Sequence, residues 1–585
     1  ASAPATAPTH RTDEGPLART RAALREMIAE RLDHPGQVST TLGFYDLGLD
    51  SSDLLDLVAR LETLLGTQLY PTLLFEHQSI DALSRWLVDN HGGLSGSTGA
   101  PPAKPTAEPT AEPAPVAAGP RYMQAQWRPT PPSPASAPTD GPLLLLYPPP
   151  EVASQVRPGT IVVTAGAGFA DLGDQHFSVA ADSATDLREL FSQLERRGVV
   201  PKAIVHVNTG IDPQALYRRL LALVQGLWQT DAQRHTRLLH VELACGHPEA
   251  HAVRAFAATL AIELPRLPLA VLEVDTWPTW AQLDAELAQA SAGELVRLHA
   301  GSRAVLGWVD ASLEATPGAE QLDLRQRCVI VTGAAGGLGR LFARALAASG
   351  ASLVLSSRRP ADPSLDALVQ ELEQLGAQAI YISADVREPA DAEALVAAAV
   401  SRFGPIHAVI HAAGVIDDAL IVRSDPERAA AVLGAKIHGI HALEQACADQ
   451  PLAFMLLCSS LAAVIGNLGQ ANYAFANGYL DGFAHWRELA RVHGQRQGRC
   501  IAIDWPLWRE GGMHVDARAA ARLADTGIQA LSTSAGLCAL AGAISGVEAG
   551  AWIVVEAASR AGLGARLGVT EAPSEPSQPS QPSQP

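Results

Sequence analysis

The stretch VIVTGAAGGLGRLFARALAASG, residues 329–350, decides the fold, because a buried strand passes through a glycine turn directly into a helix. A short apolar run ends at Thr332, Gly333, Gly337 and Gly339 follow at the spacing T-G-x-x-x-G-x-G, and apolar residues then recur with helical periodicity. Glycines permit the tight turn and a close approach of the backbone to a pyrophosphate, whose charge is favoured at a helix N-terminus. The stretch predicts a dinucleotide-binding unit.

Around this unit, residues 121 to about 566 alternate strand patterns with helix patterns, which is typical of parallel α/β sheets. The strand patterns form two sets, which we assign to a first doubly wound subdomain at 121–322 and a second at 323–566. The first set has glycines at 164–173, but the third glycine is missing at the required spacing and no convincing helix follows. We therefore expect a degenerate first subdomain, with only the second binding cofactor.

Residues 17–93 have helical periodicity throughout and predict a small all-α bundle, in which Ser79 caps the last helix. The second helix has apolar residues at helical spacing, which are Leu54, Leu57, Val58, Leu61, Leu64 and Leu65. Segments rich in Pro, Ser and small residues predict linkers at 1–16, 94–120 and 567–585. The predicted fold class is thus multidomain: a helical bundle, then two Rossmann-like α/β subdomains.

Composition excludes several classes of function. A net charge of −18 argues against a nucleic-acid partner. No apolar run approaches the roughly 20 residues that span a bilayer, so we expect no membrane contact. The N-terminus lacks both a signal-peptide pattern and an initiator Met, which favours a cytoplasmic piece of a longer polypeptide. The six cysteines have no metal-ligand spacing and predict buried, reduced thiols without a metal.

Two adjacent serines, Ser51 and Ser52, lie where a loop becomes the second helix of the bundle. From the residues alone, one of them is equally well a helix cap. The stretch from 44 to 62, with Gly48, Asp50 and Ser51 in the pattern G-x-D-S, resembles the acyl carrier protein family. The resemblance implies 4′-phosphopantetheine on Ser51, although the family usually has an apolar residue at the position of Ser52. A helix N-terminus also favours the negative phosphodiester.

Acidic residues cluster around this serine, at Asp46, Asp50, Asp53 and Asp56. Two interpretations stay open: a solvated face, or an electrostatic docking surface for basic patches on partner enzymes.

The strand after the glycine turn ends in LSSRR, where a site preferring NAD would usually carry an acid for the ribose. Ser357 and Arg358 instead suit the 2′-phosphate of NADPH. Asp385 ends the next strand, within reach of an adenine amine, and HAAG supplies small residues beneath the nucleotide. The predicted NADPH site comprises Thr332, Gly333, Gly337, Leu338, Gly339, Ser357, Arg358, Asp385, Val386, Ala412, Ala413 and Gly414.

The reactive groups lie further along the chain. Ser460 ends a strand, Tyr473 follows thirteen residues later, and Asn477 shares the helix face of Tyr473. This arrangement resembles the short-chain dehydrogenase/reductase family, with Y-x-x-x-N in place of Y-x-x-x-K. Polyketide-synthase ketoreductases share this exchange, and the resemblance implies that Lys436 supplies the lysine. We expect Ser460 and Tyr473 to stabilise the oxyanion, Tyr473 to donate the proton, Lys436 to lower its pKa, and Asn477 to hold Lys436 or a relay water.

The resemblance implies a polyketide-synthase segment in which NADPH reduces a β-ketoacyl thioester, held on Ser51, to a β-hydroxyacyl thioester. Asp417 and Asp418 resemble the motif of B-type ketoreductases and favour a D-configured hydroxyl. The sequence also resembles modules served by a separate acyltransferase, so the implied partners are that enzyme, a ketosynthase, possibly a dehydratase, and a phosphopantetheinyl transferase. Two alternatives remain: a carrier attached to a silent reductase scaffold, and a free-standing reductase with a helical interaction module. Residues 504–515 fit either a lid that brings Met513 to the thioester arm or, for Trp505 and Trp508, core packing.

Overall fold

The computed structural model describes residues 15–30, 38–44, 47, 49, 51–67, 69, 73–94, 120–133, 141–228, 230, 232, 236–289, 291–313, 323–512, 527–546 and 548–557. The chain divides into two compact units, Ala1–Ala114 and Pro115–Pro585. Each unit is described by itself.

The first unit is a helical bundle, as predicted. Its helices are α1 (Pro16–Ala29), α2 (Ser51–Leu65), α3 (Leu73–Glu76) and α4 (Ile80–His91). The Ser79 hydroxyl accepts a hydrogen bond from the Ala82 amide at 3.3 Å, which confirms it as the N-cap of α4. The apolar face of α2 is buried at Leu54, Leu57, Val58 and Leu61, but Leu64 is 57% exposed. Leu64, in the last turn of α2, therefore does not belong to the buried face despite its helical spacing.

The second unit begins with an α/β half whose inner parallel strands are almost wholly buried. Its elements are β1 (Arg121–Thr130), β2 (Leu143–Leu146), α5 (Pro150–Ala153), β3 (Thr160–Ala165), β4 (Ala170–Gly173), β5 (His176–Val179), α6 (Ala184–Arg196), β6 (Ala203–Asn208), α7 (Pro213–Leu227), β7 (Arg237–Glu242), α8 (Pro248–Glu263), β8 (Leu269–Val274), α9 (Trp280–Gln289), β9 (Leu295–His299) and β10 (Ser302–Ala311). We call this part the N-terminal half.

The C-terminal half follows the same alternation. Its elements are β11 (Cys328–Thr332), α10 (Gly337–Ala347), β12 (Ser352–Ser357), α11 (Pro363–Gln374), β13 (Gln378–Ser383), α12 (Pro389–Phe403), β14 (Ile406–His411), a 3₁₀ turn (Ile421–Arg423), α13 (Pro426–Ala446), β15 (Phe454–Ser460), α14 (Ala462–Ile465), α15 (Ala471–Val492), β16 (Arg499–Trp505), β17 (Ile528–Gln529), α16 (Thr533–Ile544) and β18 (Gly550–Ala557).

The parallel strands of each half have a doubly wound order. In the C-terminal half the order is β13-β12-β11-β14-β15-β16-β18, and in the N-terminal half it is β5-β3-β2-β6-β7-β8-β9. Both orders reverse beside the first strand of the set, and the crevice at such a reversal is where ligands bind in open α/β sheets.

The two halves are one continuous sheet rather than two separate ones. Strand β1 pairs antiparallel with β18 on one side and with β10 on the other, and β10 pairs antiparallel with β9. Three antiparallel pairings therefore join the two parallel sets edge to edge. The edges of both sets are covered at this seam, which removes unpaired backbone groups from solvent.

Helix α8 of the N-terminal half packs closely on α15 of the C-terminal half. A Cβ on Gly478 would lie 2.6 Å from the Cβ of Ala255, and one on Gly482 would lie 2.6 Å from the Cα of Pro248. These two glycines of α15 are four residues apart and share one face, so the helices approach almost backbone to backbone. The N-terminal half thus fixes the helix on which Tyr473 lies.

Candidate active site

The glycine turn lies where two neighbouring parallel strands end. In the pairing of β11 with β14, Thr332 is opposite His411, and the Thr332 hydroxyl lies 2.9 Å from the His411 Nδ1 atom. Gly333 has a φ of +68°, and a Cβ there would lie 2.5 Å from the carbonyl oxygen of Ala412. The turn at 333–337 and the facing residues 412–414 carry no side chain larger than a methyl group. A crevice of this kind fits the phosphates of a dinucleotide.

Helix α10 begins directly at this turn. A Cβ on Gly337 would lie 2.0 Å from the carbonyl oxygen of Gly511, and one on Gly339 would lie 2.5 Å from that of Gly333. Leu338, between them, is partly buried against the core. Gly339 therefore allows the helix to lie close to the backbone of the turn itself, and Gly337 allows it to lie close to the backbone at Gly511.

Ser357 ends β12, and Arg358 follows it directly. The Ser357 hydroxyl lies 2.7 Å from the phenol oxygen of Tyr381. Arg358 is exposed, and its guanidinium has no ion pair in the part of the chain that the structure describes, whereas the adjacent Arg359 is paired with Asp362. An available cation at this place fits the 2′-phosphate of NADPH.

Asp385 was predicted to end a strand but lies two residues beyond the end of β13, and its carboxylate already has a cationic partner. It accepts hydrogen bonds from Nε of Arg387 at 3.0 Å and from Nη2 of Arg387 at 2.6 Å, which lowers the pKa of Asp385. Val386 is buried and lies beside Gly439. A contact between Asp385 and an adenine amine therefore requires sharing with Arg387.

Lys436, Ser460 and Tyr473 come from α13, the end of β15 and the first turn of α15, and the fold brings them together. The buried Lys436 ammonium donates a hydrogen bond to the carbonyl oxygen of Cys458 at 2.8 Å and lies 5.8 Å from the centre of the Tyr473 ring. Burial lowers the pKa of Lys436 to about 8. A Cβ on Gly414 would lie 3.3 Å from Cε of Lys436. The Lys436 side chain therefore borders residues 412–414, which face the glycine turn.

The Tyr473 phenol differs from expectation in the direction of its pKa. Burial raises that pKa above 10.0, while hydrogen bonding by Ser460 and Asn477 acts to lower it. The net direction is the opposite of the one expected from Lys436. The Asn477 Nδ2 atom donates to the carbonyl oxygen of Tyr473 at 2.7 Å, so Asn477 contacts its own helix and not Lys436. Its buried Oδ1 has no hydrogen-bond partner among the described atoms.

Ser459, Asp481 and Asp504 form a buried polar cluster next to these residues that the sequence did not predict. The Ser459 hydroxyl donates to Oδ1 of Asp504 at 2.8 Å. Burial raises the pKa of both Asp481 and Asp504, and the positive charges of Arg254 and Lys436 act against this at Asp481. Asp481 follows Asn477 by four residues, so its helical spacing was a usable signal. Arg254 belongs to α8 of the N-terminal half, and nothing in the sequence linked it to this place.

Two loop segments border Tyr473. Asp417 forms an ion pair with Arg428, and its carbonyl oxygen accepts a hydrogen bond from Nδ2 of Asn472 at 2.8 Å. The Asp418 carboxylate accepts from Nε2 of Gln470 at 3.1 Å and 3.2 Å. Burial raises the pKa of Asp418. Both predicted aspartates therefore face the segment that leads into Tyr473.

Comparison with protein families assigns three parts of the chain. Residues 328–510 match the KR domain model, and residues 22–87 match the model of the phosphopantetheine attachment site. Residues 151–287 match the model described as beta-ketoacyl synthase-like, N-terminal. Together these matches support an acyl carrier domain followed by a ketoreductase domain, an arrangement similar to a segment of a modular polyketide synthase.

Curated relatives of this segment are themselves polyketide synthases. It is 34% identical over 290 residues to polyketide synthase PksL of Bacillus subtilis (strain 168), which covers 48% of this chain and 6% of PksL. It is 36% identical over 246 residues to polyketide synthase ThaG of Burkholderia thailandensis, which covers 41% of this chain and 4% of ThaG. The chain therefore spans a small part of the length of these relatives.

Solved ketoreductases share the fold of the second unit. An N-terminal ketoreductase from the macrolactin assembly line has a TM-score of 0.64 and 25% identity, over 77% of this chain and 94% of that one. The first ketoreductase of the tylosin synthase has a TM-score of 0.58 and 26% identity, over 77% and 96% of the two chains. Among the residues described, no helix has the length and apolar character needed to cross a membrane.

In the carrier domain, Ser51 is the first residue of α2, as predicted for a modified serine at a helix N-terminus. Gly48 and Asp50 lie outside the described residues, as do the side chains of Ser51 and Ser52. The same holds for Asp46 and for the side chain of Asp56. A carrier domain of this family bears 4′-phosphopantetheine, and a ketoreductase domain implies NADPH.

In the ketoreductase domain, Trp505 and Trp508 are buried, with ring centres 5.1 Å apart, so core packing is confirmed for both. Met513 lies outside the described residues. All six cysteines are free, but only Cys328, Cys447, Cys458 and Cys500 are buried. The half-buried Cys245 lies near Asp275 and His299, with one possible metal-ligand atom from each within 4.8 Å of the others.

Proposed function

We propose that this segment reduces a β-ketoacyl thioester, carried on the phosphopantetheine arm of Ser51, to a β-hydroxyacyl thioester with NADPH. The observation that carries the proposal is the meeting of Lys436 and Tyr473, whose ammonium and ring centre are 5.8 Å apart, beside the glycine turn of β11. This place is the crevice of a doubly wound sheet, where a substrate carbonyl and a cofactor would meet.

When bound, NADPH supplies the hydride. The chain's own residues then act on the ketone oxygen, where negative charge develops. The hydroxyls of Ser460 and Tyr473 donate hydrogen bonds to that oxygen, and loss of one such donor typically costs about 3 kcal/mol of barrier stabilisation. Tyr473 transfers its proton to the oxygen.

Lys436 and Asn477 support that transfer. Losing its proton leaves Tyr473 as a phenolate in a buried place, and the Lys436 ammonium compensates that charge at short range. Asn477 positions Tyr473, because its amide bonds the Tyr473 carbonyl, and its unpartnered Oδ1 is available to a relay water.

The proposed cofactor residues are those predicted: the turn at 332–339 for the pyrophosphate, Ser357 and Arg358 for the 2′-phosphate, Asp385 and Val386 for the adenine, and 412–414 beneath the nucleotide. We assign cofactor binding to the subdomain at 323–566 alone. The subdomain at 121–322 then serves as structural support, and the flanking segments 94–120 and 567–585 serve as linkers.

Several finer features rest on resemblance. Asp417 and Asp418 favour a B-type ketoreductase with a D-configured product. A module served by a separate acyltransferase, next to a ketosynthase and possibly a dehydratase, would supply and receive the acyl chain. A phosphopantetheinyl transferase would load Ser51, and the acidic surface around it would dock basic partner enzymes.

The test uses the purified segment, loaded by a phosphopantetheinyl transferase. Mass spectrometry should show the arm on the wild type and not on Ser51→Ala; an unloaded wild type would favour the free-standing reductase. NADPH and β-ketoacyl thioesters of varied length should then give β-hydroxyacyl products. Tyr473→Phe should bind NADPH normally and lose at least about 100-fold in turnover. An inactive wild type that binds no NADPH would instead support the silent scaffold.

A further inference from the structure

One buried residue of the N-terminal half reaches into the catalytic loops. Glu263, the last residue of α8, is fully buried. Its Oε2 accepts a hydrogen bond from the Ile421 amide at 2.6 Å, and its Oε1 accepts from the Gly469 amide at 3.0 Å. A single carboxylate thus holds two separate backbone segments of the C-terminal half.

These two segments are the ones that border the proton donor. The first runs from Asp417 to Ile421 and the second from Gly466 to Asn472, which directly precedes Tyr473. They also bond to each other, since the Ala419 amide donates to the carbonyl oxygen of Gly469 at 2.8 Å. A change in the separation of these two segments would therefore move both of them relative to Tyr473.

The second segment rests on α8 at two further points. A Cβ on Gly466 would lie 2.6 Å from the backbone of Ala258, and the Thr259 hydroxyl accepts a hydrogen bond from the Asn467 amide at 3.3 Å. The same helix packs against α15 at Gly478. Helix α8 consequently contacts both α15, which carries Tyr473, and the segment 466–472 that precedes it.

A buried carboxylate is costly, and burial raises the pKa of Glu263 to about 8 while the two amide bonds act against that rise. An apolar side chain would fill the space without this cost but would leave two buried amides unpaired. The arrangement is explained if the two amides must be held at a fixed separation.

We propose that Glu263 is a positioning residue that sets the separation of segments 417–421 and 466–472 and thereby the face of the ketone presented to Tyr473. The inference rests on the proposed reduction. It assigns control of product configuration partly to the half of the domain that lacks the reacting groups.

The experiment measures the ratio of β-hydroxy enantiomers that the full segment forms from a β-ketoacyl thioester, with Glu263→Gln compared with the wild type. Glutamine has nearly the same shape, but its side-chain NH2 group would face one of the two backbone N–H groups. That nitrogen cannot accept a hydrogen bond, so one of the two contacts is lost. The ratio of major to minor enantiomer should fall about fivefold, as expected for loss of one buried hydrogen bond. Thr259→Val should shift it in the same direction by less.

The matched control is Glu242→Gln, which changes a buried carboxylate of the same half that bonds Asn208 instead of the loops. Its enantiomer ratio should equal that of the wild type. Partial unfolding reduces the rate but not the ratio, so a purely structural role predicts unchanged ratios in every variant. Unchanged ratios in both Glu263→Gln and Thr259→Val would overturn the inference. A wild type without activity would overturn the proposed function instead.

Discussion

The two halves of the second unit have the same strand order but different connections after their first strands. In the C-terminal half, β11 leads into the eleven-residue helix α10 through the glycine turn. In the N-terminal half, β2 is followed by the four-residue α5, and β3 by the antiparallel pair β4 and β5. A doubly wound order supplies a crevice, but only a helix that begins at the crevice supplies amides for a phosphate. Topology alone therefore does not make a nucleotide site.

The halves also differ along β6 and β7 of the N-terminal half and the corresponding strands β14 and β15 of the C-terminal half. In the N-terminal half, the buried His206 and His240 rings lie with Nδ1 atoms 2.9 Å apart, and Asn208 donates to Glu242 at 2.8 Å. These polar groups are paired with one another and closed to solvent. In the C-terminal half, Ser460 and Tyr473 at the corresponding place remain partly exposed. The same location is closed by internal hydrogen bonds in one half and reaches solvent in the other.

An added methyl group should affect the glycine turns of the two halves very differently, and this is the largest effect that we expect. Gly337→Ala should weaken NADPH binding at least about 100-fold, because its Cβ would lie 2.0 Å from the Gly511 carbonyl oxygen and the backbone must shift. Gly168→Ala is the matched control in the other half, since its Cβ would lie 3.7 Å from the nearest atom. Fluorescence titration measures both. Equal losses would show that the two turns had been assigned wrongly.

A second substitution sharpens the assignment of the cofactor. Arg358→Gln should weaken NADPH binding by about 30-fold, the effect of losing roughly 2 kcal/mol of charged hydrogen bonding, and leave NADH binding nearly unchanged. Arg359→Gln is the control, because that guanidinium is paired with Asp362. Dissociation constants for both dinucleotides measure the preference. An equal loss for NADPH and NADH in Arg358→Gln would contradict a 2′-phosphate contact.

The pH dependence tests the charged group of the C-terminal half. Lys436 has a pKa lowered to about 8 by burial, so it is charged below that pH and neutral above it. The single-turnover rate of ketone reduction should therefore fall as pH rises through about 8, by about tenfold per pH unit. Lys436→Met should be slow and lack this inflection. A wild-type rate that stays constant to pH 10 would exclude a role for the ammonium.

The smallest effect on catalysis is expected in the polar group of the N-terminal half. Glu242→Gln should lower the free energy of unfolding by about 1–3 kcal/mol, because the buried hydrogen bonds that Asn208 and His240 make with its carboxyl group lose an acceptor oxygen. Turnover per folded molecule should not change. Thermal unfolding and active-site titration separate the two quantities, and a lower turnover at full folding would mean that this half takes part in the chemistry.

Sequence periodicity predicted the parallel strands closely. The strand at 352–357 ends within LSSRR and the strand at 454–460 ends at Ser460, as predicted, because buried parallel strands are continuous apolar runs with clear ends. The antiparallel strands β1, β10 and β18, which join the halves, were missed. Their burial follows from pairing between residues more than 150 positions apart, as for Met123 opposite Asp310, and no local pattern reports that.

By itself, the sequence determined the chemistry: the glycine turn, the cation at Arg358, and the serine, tyrosine and lysine each appear in a short local pattern. Tertiary structure alone decided how these groups are held. The buried partners Arg254 and Glu263 lie on α8, about 200 residues from Tyr473 in the chain, and act there only because the glycines of α15 allow α8 to pack against it. It also decided the direction of the Tyr473 pKa, because burial depends on every surrounding element.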